Sequence, residues 1–138
     1  MADRVRKVNY CYVKVNARPG QGAAVLDEVQ KAGVNLLAFS GFPTGGGKAQ
    51  LDLVGDDMAG LRRLAKKKGW RLSKTKKAFL ITGDDRVGAC HRQIKKLADL
   101  KINITAVDAV VAGKGRYGAI LWVKPQVYAR AAKALRAK

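Results

Sequence analysis

The order of apolar and polar residues announces its elements before anything else does. From Tyr10 to Val15 the chain is β-rich and alternating, and Ala78 to Thr82 is similar, which predicts two half-buried strands. Between Gln21 and Ala32 the period changes: Val25, Leu26, Val29 and Ala32 fall on one helical face. Gly88 to Leu100 repeats this with Cys90, Ile94 and Leu97, and with Leu100 at the margin. Apolar runs follow at Asn35 to Phe42 and Asn103 to Val111, each closed by glycines (Gly45 to Gly47; Gly113 and Gly115) where a tight turn needs positive φ. Strands come next, at Ala49, Leu51 and Leu53 and from Tyr117 to Val123. Second helices are marked by Met58, Leu61 and Leu64, and by Tyr128, Ala131, Ala132 and Leu135.

The chain is thus written twice, and the two copies align without a gap. Arg18 and Arg86 are 68 residues apart, and at the same offset Gly20 meets Gly88, Val34-Asn35-Leu36 meets Ile102-Asn103-Ile104, and Leu53 meets Leu121. Each copy reads β-α-β-β-α, with Trp70 to Ser73 supplying a further strand after the first. This predicts an α+β fold of two ferredoxin-like βαββαβ units with antiparallel sheets and helices on one face, residues 1–69 and 70–138. No strand-like stretch follows the last helix of the second copy. Arg4 to Asn9 aligns with the segment at Ser73 to Lys77, so the N-terminal residues are expected to supply that edge, within the chain or from a partner chain.

Composition changes the picture in one respect. The 138 residues are 48% hydrophobic, enough for a core, yet 28 Lys and Arg against 10 Asp and Glu give a formal charge of +18. Residues 62 to 77 hold nine cations and no acid: Arg62, Arg63, Lys66, Lys67, Lys68, Arg71, Lys74, Lys76 and Lys77. Lys124, Arg130, Lys133, Arg136 and Lys138 follow at the C-terminal end. Such a field attracts nucleic acid, acidic protein or anionic headgroups, and the two stretches fall in equivalent second helices. A solvated helix face is the plain alternative. Asp3, Arg4, Arg6 and Lys7 stand where a signal peptide would place its apolar region, and the longest uncharged stretch, Ala32 to Gly47, is too short and glycine-rich to span a membrane. The expected setting is cytoplasmic.

The stretch ARPGQGAAVLDEVQKAGVNLLAF, from Ala17 to Phe39, with its weaker echo DRVGACHRQIKKLADLKINITAV from Asp85 to Val107, resembles the ACT domain, and the resemblance covers the whole chain as two copies. It implies a free-standing tandem regulatory protein that senses a small molecule, usually an amino acid, and pairs its sheets side by side, as a homodimer. It also implies ligand contact through the turns before the first helices, Arg18, Pro19, Gly20 and Gln21 in one copy and Asp85, Arg86, Val87 and Gly88 in the other. The asparagines opening the second strands, Asn35 and Asn103, complete the implied set. Free N–H groups at a helix N-terminus suit a carboxylate. The side chains that finish a serine site in related sensors correspond here to Val15 and Ala17, which offer no polar group, and to Gly83 and Asp85. Each turn has a purely structural reading as well, as does each asparagine.

Other chemistry is set aside on the residues themselves. Thr44 to Lys48, TGGGK, lacks the spacing and the following Ser or Thr of a phosphate-binding P-loop, with Phe42 and Ala49 in their places. One histidine, His91, beside Cys90 and far from Cys11, does not make a zinc set, and Cys90 reads as packing. Asp84-Asp85 precedes a helix, where acids stabilise the N-terminus. No triad or cofactor motif appears, so a non-catalytic protein without cofactor or metal is expected. Trp70 and Tyr128 could stack on bases, though both read mainly as core.

Overall fold

In the computed structural model, which describes residues 3–138, the elements follow the order read above: β1 (Arg4–Asn16), α1 (Gln21–Lys31), β2 (Ala38–Gly45), β3 (Lys48–Gly55), α2 (Met58–Lys68), β4 (Lys76–Asp84), α3 (Ala89–Asp99), β5 (Ala106–Gly113), β6 (Arg116–Trp122) and α4 (Tyr128–Leu135). A 3-10 turn at Pro125–Val127 leads into α4. The chain divides into two units, Asn9–Lys76 and Lys77–Lys138, the latter joined by the N-terminal residues up to Val8. Among the described residues no helix is long and apolar enough to cross a membrane.

In the first unit the strand order is β2-β3-β1, antiparallel throughout. The register sets Cys11 opposite Leu53 and Val13 opposite Leu51, so these four side chains share one face. That face meets Val25 and Val29 of α1 and Leu61 and Leu64 of α2 in one apolar cluster. Asp57 caps α2, its Oδ1 accepting the Gly60 N–H at 2.8 Å, and Gly69 ends it at φ 73°. The alternate residues point the other way, and among them Asp52, opposite Tyr12, is buried. Its Oδ1 accepts from Gln50 Nε2 at 2.9 Å, and burial raises its pKa above the ordinary carboxylate value.

The second unit repeats this with β4-β6-β5, and the first residues of β1, up to Val8, belong to it. The edge that its last helix leaves open is filled from within the chain. Val5 lies in the second core with Phe79, Ile81, Leu97 and Leu121, and its carbonyl accepts the Lys138 N–H at 3.0 Å. Tyr128 stacks on Phe79 with centroids 4.4 Å apart, and its hydroxyl donates to the Ala78 carbonyl at 2.9 Å. Trp70 is half-buried against the first core, so both aromatics among the basic residues serve packing.

Three local expectations change. Trp70 to Ser73 runs beside β1 without regular strand bonding, because Ser73 uses its hydroxyl where a strand would use its carbonyl. The Tyr12 N–H donates to Ser73 Oγ at 2.9 Å, the Ser73 N–H donates to the Tyr12 carbonyl, and Arg62 takes the Ser73 carbonyl instead. The buried face of α3 centres on Ala89, Gln93 and Leu97, leaving Cys90 and Ile94 half-buried and Leu100 exposed. Ala32 is exposed as well, since α1 ends at Lys31.

Candidate functional site

Both helices expected to offer a binding turn start from a glycine. Gly20 (φ 91°) and Gly88 (φ 78°) occupy the left-handed region, which costs an L-residue roughly 1–2 kcal/mol. Neither helix has a side-chain cap among the described residues, and the Gln21 and Ala89 N–H groups donate to the Arg18 and Arg86 carbonyls.

Beside the α1 turn the first unit has a pocket of about 430 Å³. Val13, Val15 and Val25 form its apolar part, Gln21, Ala24 and Glu28 line it from α1, and Trp70 and Arg71 line it from the segment after α2. Lys14, Asn16 and Lys48 complete the wall. Lys48 Nζ donates to Asn16 Oδ1 at 2.8 Å, which holds the ammonium at the rim. Glu28 stays ionised because Lys68 donates to it at 2.7 Å and holds its pKa below the usual value, with Lys31 adding to the effect. Three cations, Lys14, Lys48 and Arg71, and one anion around an apolar floor suit an α-amino acid: its carboxylate fits Lys48 and Arg71, and its ammonium fits Glu28.

Of the residues implied by the resemblance, Gln21 lines this pocket. Arg18, Pro19 and Gly20 form the exposed turn beside it, with the Arg18 N–H bonded to the Asn16 carbonyl. Asn35 stands elsewhere. Its carbonyl oxygen is 3.1 Å from where a Cβ on Gly55 would be, and Gly55 pairs with Asn9, whereas the turn follows Asn16. The seven residue-to-residue steps from Asn9 to Asn16 set the two ends about 23 Å apart. A single small ligand on one unit therefore does not reach both. The second unit shows the same division: Asp85 N–H bonds to the Gly115 carbonyl at one end, and Asn103 precedes Thr105, whose N–H bonds to the Trp122 carbonyl at the other. Arg86 is exposed, Gly88 starts α3, and Val87 projects fully into solvent.

The counterpart of the pocket in the second unit is built differently. At the 68-residue offset Val15, Val25, Ala49 and Arg71 become Gly83, Gln93, Tyr117 and Asp3, and both pairs of strand residues sit in the same register, Val15 opposite Ala49 and Gly83 opposite Tyr117. Gln93 Nε2 donates to Asp3 Oδ2 at 2.7 Å, and the Tyr117 hydroxyl donates to the same oxygen at 3.2 Å. Sequence reasoning missed Gln93 and Asp3; the available signal was a glutamine at the centre of an apolar helical face.

A second hollow lies between α1 and α2, about 380 Å³, lined by Glu28, Lys31, Arg63, Leu64, Lys67 and Lys68 among others. Several cations of the basic run already have partners within the chain. Arg62 bonds the Ser73 carbonyl and Thr75 Oγ1, Lys68 pairs with Glu28, and Arg71 lines the first pocket. Lys76 lies over the Tyr12 ring and Lys77 over the Tyr128 ring, 5.9 Å and 5.8 Å from their centroids. Lys66 and Lys74 stand exposed.

No family model matches the sequence, and no curated protein does either. Solved structures do. Protein BT0572 from Bacteroides thetaiotaomicron aligns over 97% of this chain and 88% of its own, with a TM-score of 0.76 and 13% identity. The regulatory subunit of aspartate kinase from Thermus thermophilus, in its ligand-free form, aligns over 98% and 93% with a TM-score of 0.66 and 13% identity. The corresponding subunit from Thermus flavus aligns over 98% and 94%, with a TM-score of 0.61 and 13% identity. At this identity the likeness speaks for the fold alone, and the fold it supports is ACT-like: mixed α and β, antiparallel strands and four helices.

Proposed function

We propose that the protein is a non-catalytic regulatory sensor that binds a small molecule, an amino acid by its chemistry, in the pocket beside α1. The observation that carries this reading is the placement of Lys48, Arg71 and Glu28 around the valine floor of a cavity of about 430 Å³. The fold shared with regulatory subunits of aspartate kinase supports the regulatory role. The two ferredoxin-like ACT-type units foreseen in the sequence are the framework of this proposal. Binding is then a coupling free energy: the ligand favours one arrangement of chains, and an effector elsewhere reads it.

Oligomerisation belongs to the same proposal. The turn and Asn35 lie too far apart for one small ligand, so a homodimer brings the asparagine end of one copy to the turn of another. The outer strands suit such pairing, since β2 and β5 end the strand order and expose Phe39, Phe42, Val110 and Val111. A thermal-unfolding screen against the twenty amino acids tests the binding step. A ligand at 100 times its Kd adds about 2.7 kcal/mol of stability, and no stabilisation at millimolar ligand removes the reading.

The hollow between α1 and α2 favours a second reading, binding of nucleic acid or another polyanion, because Lys31, Arg63, Lys67 and Lys68 converge there against one acid, Glu28. Phosphate contacts make affinity fall steeply with salt, by roughly one unit of log–log slope for each phosphate neutralised. A filter-binding titration with a single-stranded oligonucleotide checks it: replacing Arg63 and Lys67 by alanine flattens the slope if the reading holds, and an unchanged slope discards it.

A further inference from the structure

The two copies treat the same place in opposite ways. In the first unit Val15, Val25 and Arg71 line an open pocket. In the second, the residues at the same offset gather around a carboxylate of the chain itself. We propose that the second unit's counterpart of the pocket is a carboxylate site, and that Asp3 is its resident occupant, so that of these two equivalent places the first is open and the second is filled by the chain itself.

Each difference between the copies serves that carboxylate. Gly83 clears the space: a Cβ there would run into Asp3 Oδ1 and stand 2.8 Å from Tyr117 Cε1, whereas Val15 keeps its side chain in the other copy. Gln93 replaces a core valine and is 3% exposed, a position where an unpaired amide is costly, and its Nε2 donates to the carboxylate at 2.7 Å. Tyr117 replaces an alanine and is buried, its hydroxyl donating at 3.2 Å. Both donors belong to the folded body of the unit, on α3 and β6, while the carboxylate arrives on the residue before β1. Gln93 Oε1 and Asp3 Oδ1 are buried with no donor among the described residues, so recognition runs one way, from fixed donors to a single carboxylate oxygen. This is how a protein recognises a small carboxylate, with the ligand supplied in cis.

Removal of the internal ligand followed by replacement from solution is the test. Thermal unfolding of the full-length Asp3→Gly variant is measured in sodium formate and in sodium chloride at equal ionic strength. The expected result is a melting temperature several degrees below wild type in chloride, raised by formate along a saturable curve, with no matching gain for wild type. Asp3→Asn keeps the seat filled and is expected to ignore formate. If Asp3→Gly does not fold at ambient temperature, its refolding yield in formate against chloride makes the same comparison. Equal responses to the two salts, a variant as stable as wild type, or a formate gain in wild type equal to that of the variant each overturn the proposal. Failure of the amino-acid reading would show at the first unit's pocket and leaves this outcome untouched.

Discussion

Arg71 and Asp3 are equivalent residues of the two copies, 68 positions apart, and they bring opposite charges to equivalent places. Arg71 lines the open pocket beside α1, and Asp3 is held by Gln93 and Tyr117 under the α3 turn. This asymmetry predicts the stoichiometry of any ligand that fits the open pocket. Isothermal titration of the wild-type chain is expected to give one equivalent bound per chain. Two equivalents of equal affinity would mean that the copies act alike.

Tyrosine ionisation reports the cores separately from the pocket. Burial pushes Tyr10, Tyr117 and Tyr128 up to about 12 from an ordinary value of 10.0, with the nearby Asp52 carboxylate adding to the effect on Tyr10 and Asp3 to that on Tyr117. A group whose folded pKa is raised contributes stability that is complete below its unfolded pKa and lost as pH rises through the folded value. Stability is therefore expected to decline between about pH 10 and pH 12. Absorbance of tyrosinate during an alkaline titration, followed together with circular dichroism, checks this. Three tyrosines ionising near pH 10 with the fold intact would contradict it.

Asp52 gives the opposite handle at low pH. Burial raises its carboxyl pKa, only partly offset by Gln50 and Lys76. The folded chain then holds that proton more tightly than the unfolded chain, so this residue's contribution favours folding as pH falls towards its folded pKa and opposes it above. Replacement by asparagine, which keeps the shape and can still bond Gln50, is expected to raise stability at neutral pH and to lose that advantage in acid. Urea midpoints at pH 7 and pH 4 measure the difference. A loss of stability at pH 7 would show that the charge is needed where it is.

The outer strands carry the oligomer prediction. Val110 and Val111 of β5 expose 68% and 58% of their surface, a long apolar edge of the kind that pairs with another chain. Val110→Lys is expected to weaken self-association at least tenfold, about 1.4 kcal/mol, while leaving the melting profile of the monomer unchanged. Light scattering across a dilution series reads it directly. A wild-type chain that stays monomeric at high concentration removes the dimer from the account.

Much of the fold was legible because its signals are local and occur twice. The helical period of Val25 and Val29, the β-rich run at Tyr10, and the glycines at Gly20 and Gly88 each demand one backbone geometry, and the repeat doubles every observation. The N-terminal edge was legible for the same reason, since Arg4 to Asn9 aligns with a segment of the other copy. What stayed hidden depends on partners distant in sequence. Gln93 looks misplaced on α3 until Asp3, 90 residues away, is beside it. Lys48 and Arg71 carry no motif and meet only after β3 and the segment following α2 have folded around Val15. Ser73 looks like a strand residue until its hydroxyl takes the bond of a carbonyl. The implied joint site of turn and asparagine is a further case, because sequence order does not reveal that β1 separates them.

The central claim is that the pocket beside α1 holds an amino acid between Arg71, Lys48 and Glu28. Its most direct measurement is the thermal-unfolding screen of the twenty amino acids, run in parallel on wild type and Arg71→Ala. Loss of a charge-assisted bond costs roughly 1.5–3 kcal/mol, so the variant is expected to fold normally and bind its ligand about 10- to 100-fold more weakly. An amino acid that stabilises both proteins equally, or none that stabilises wild type, would contradict the account.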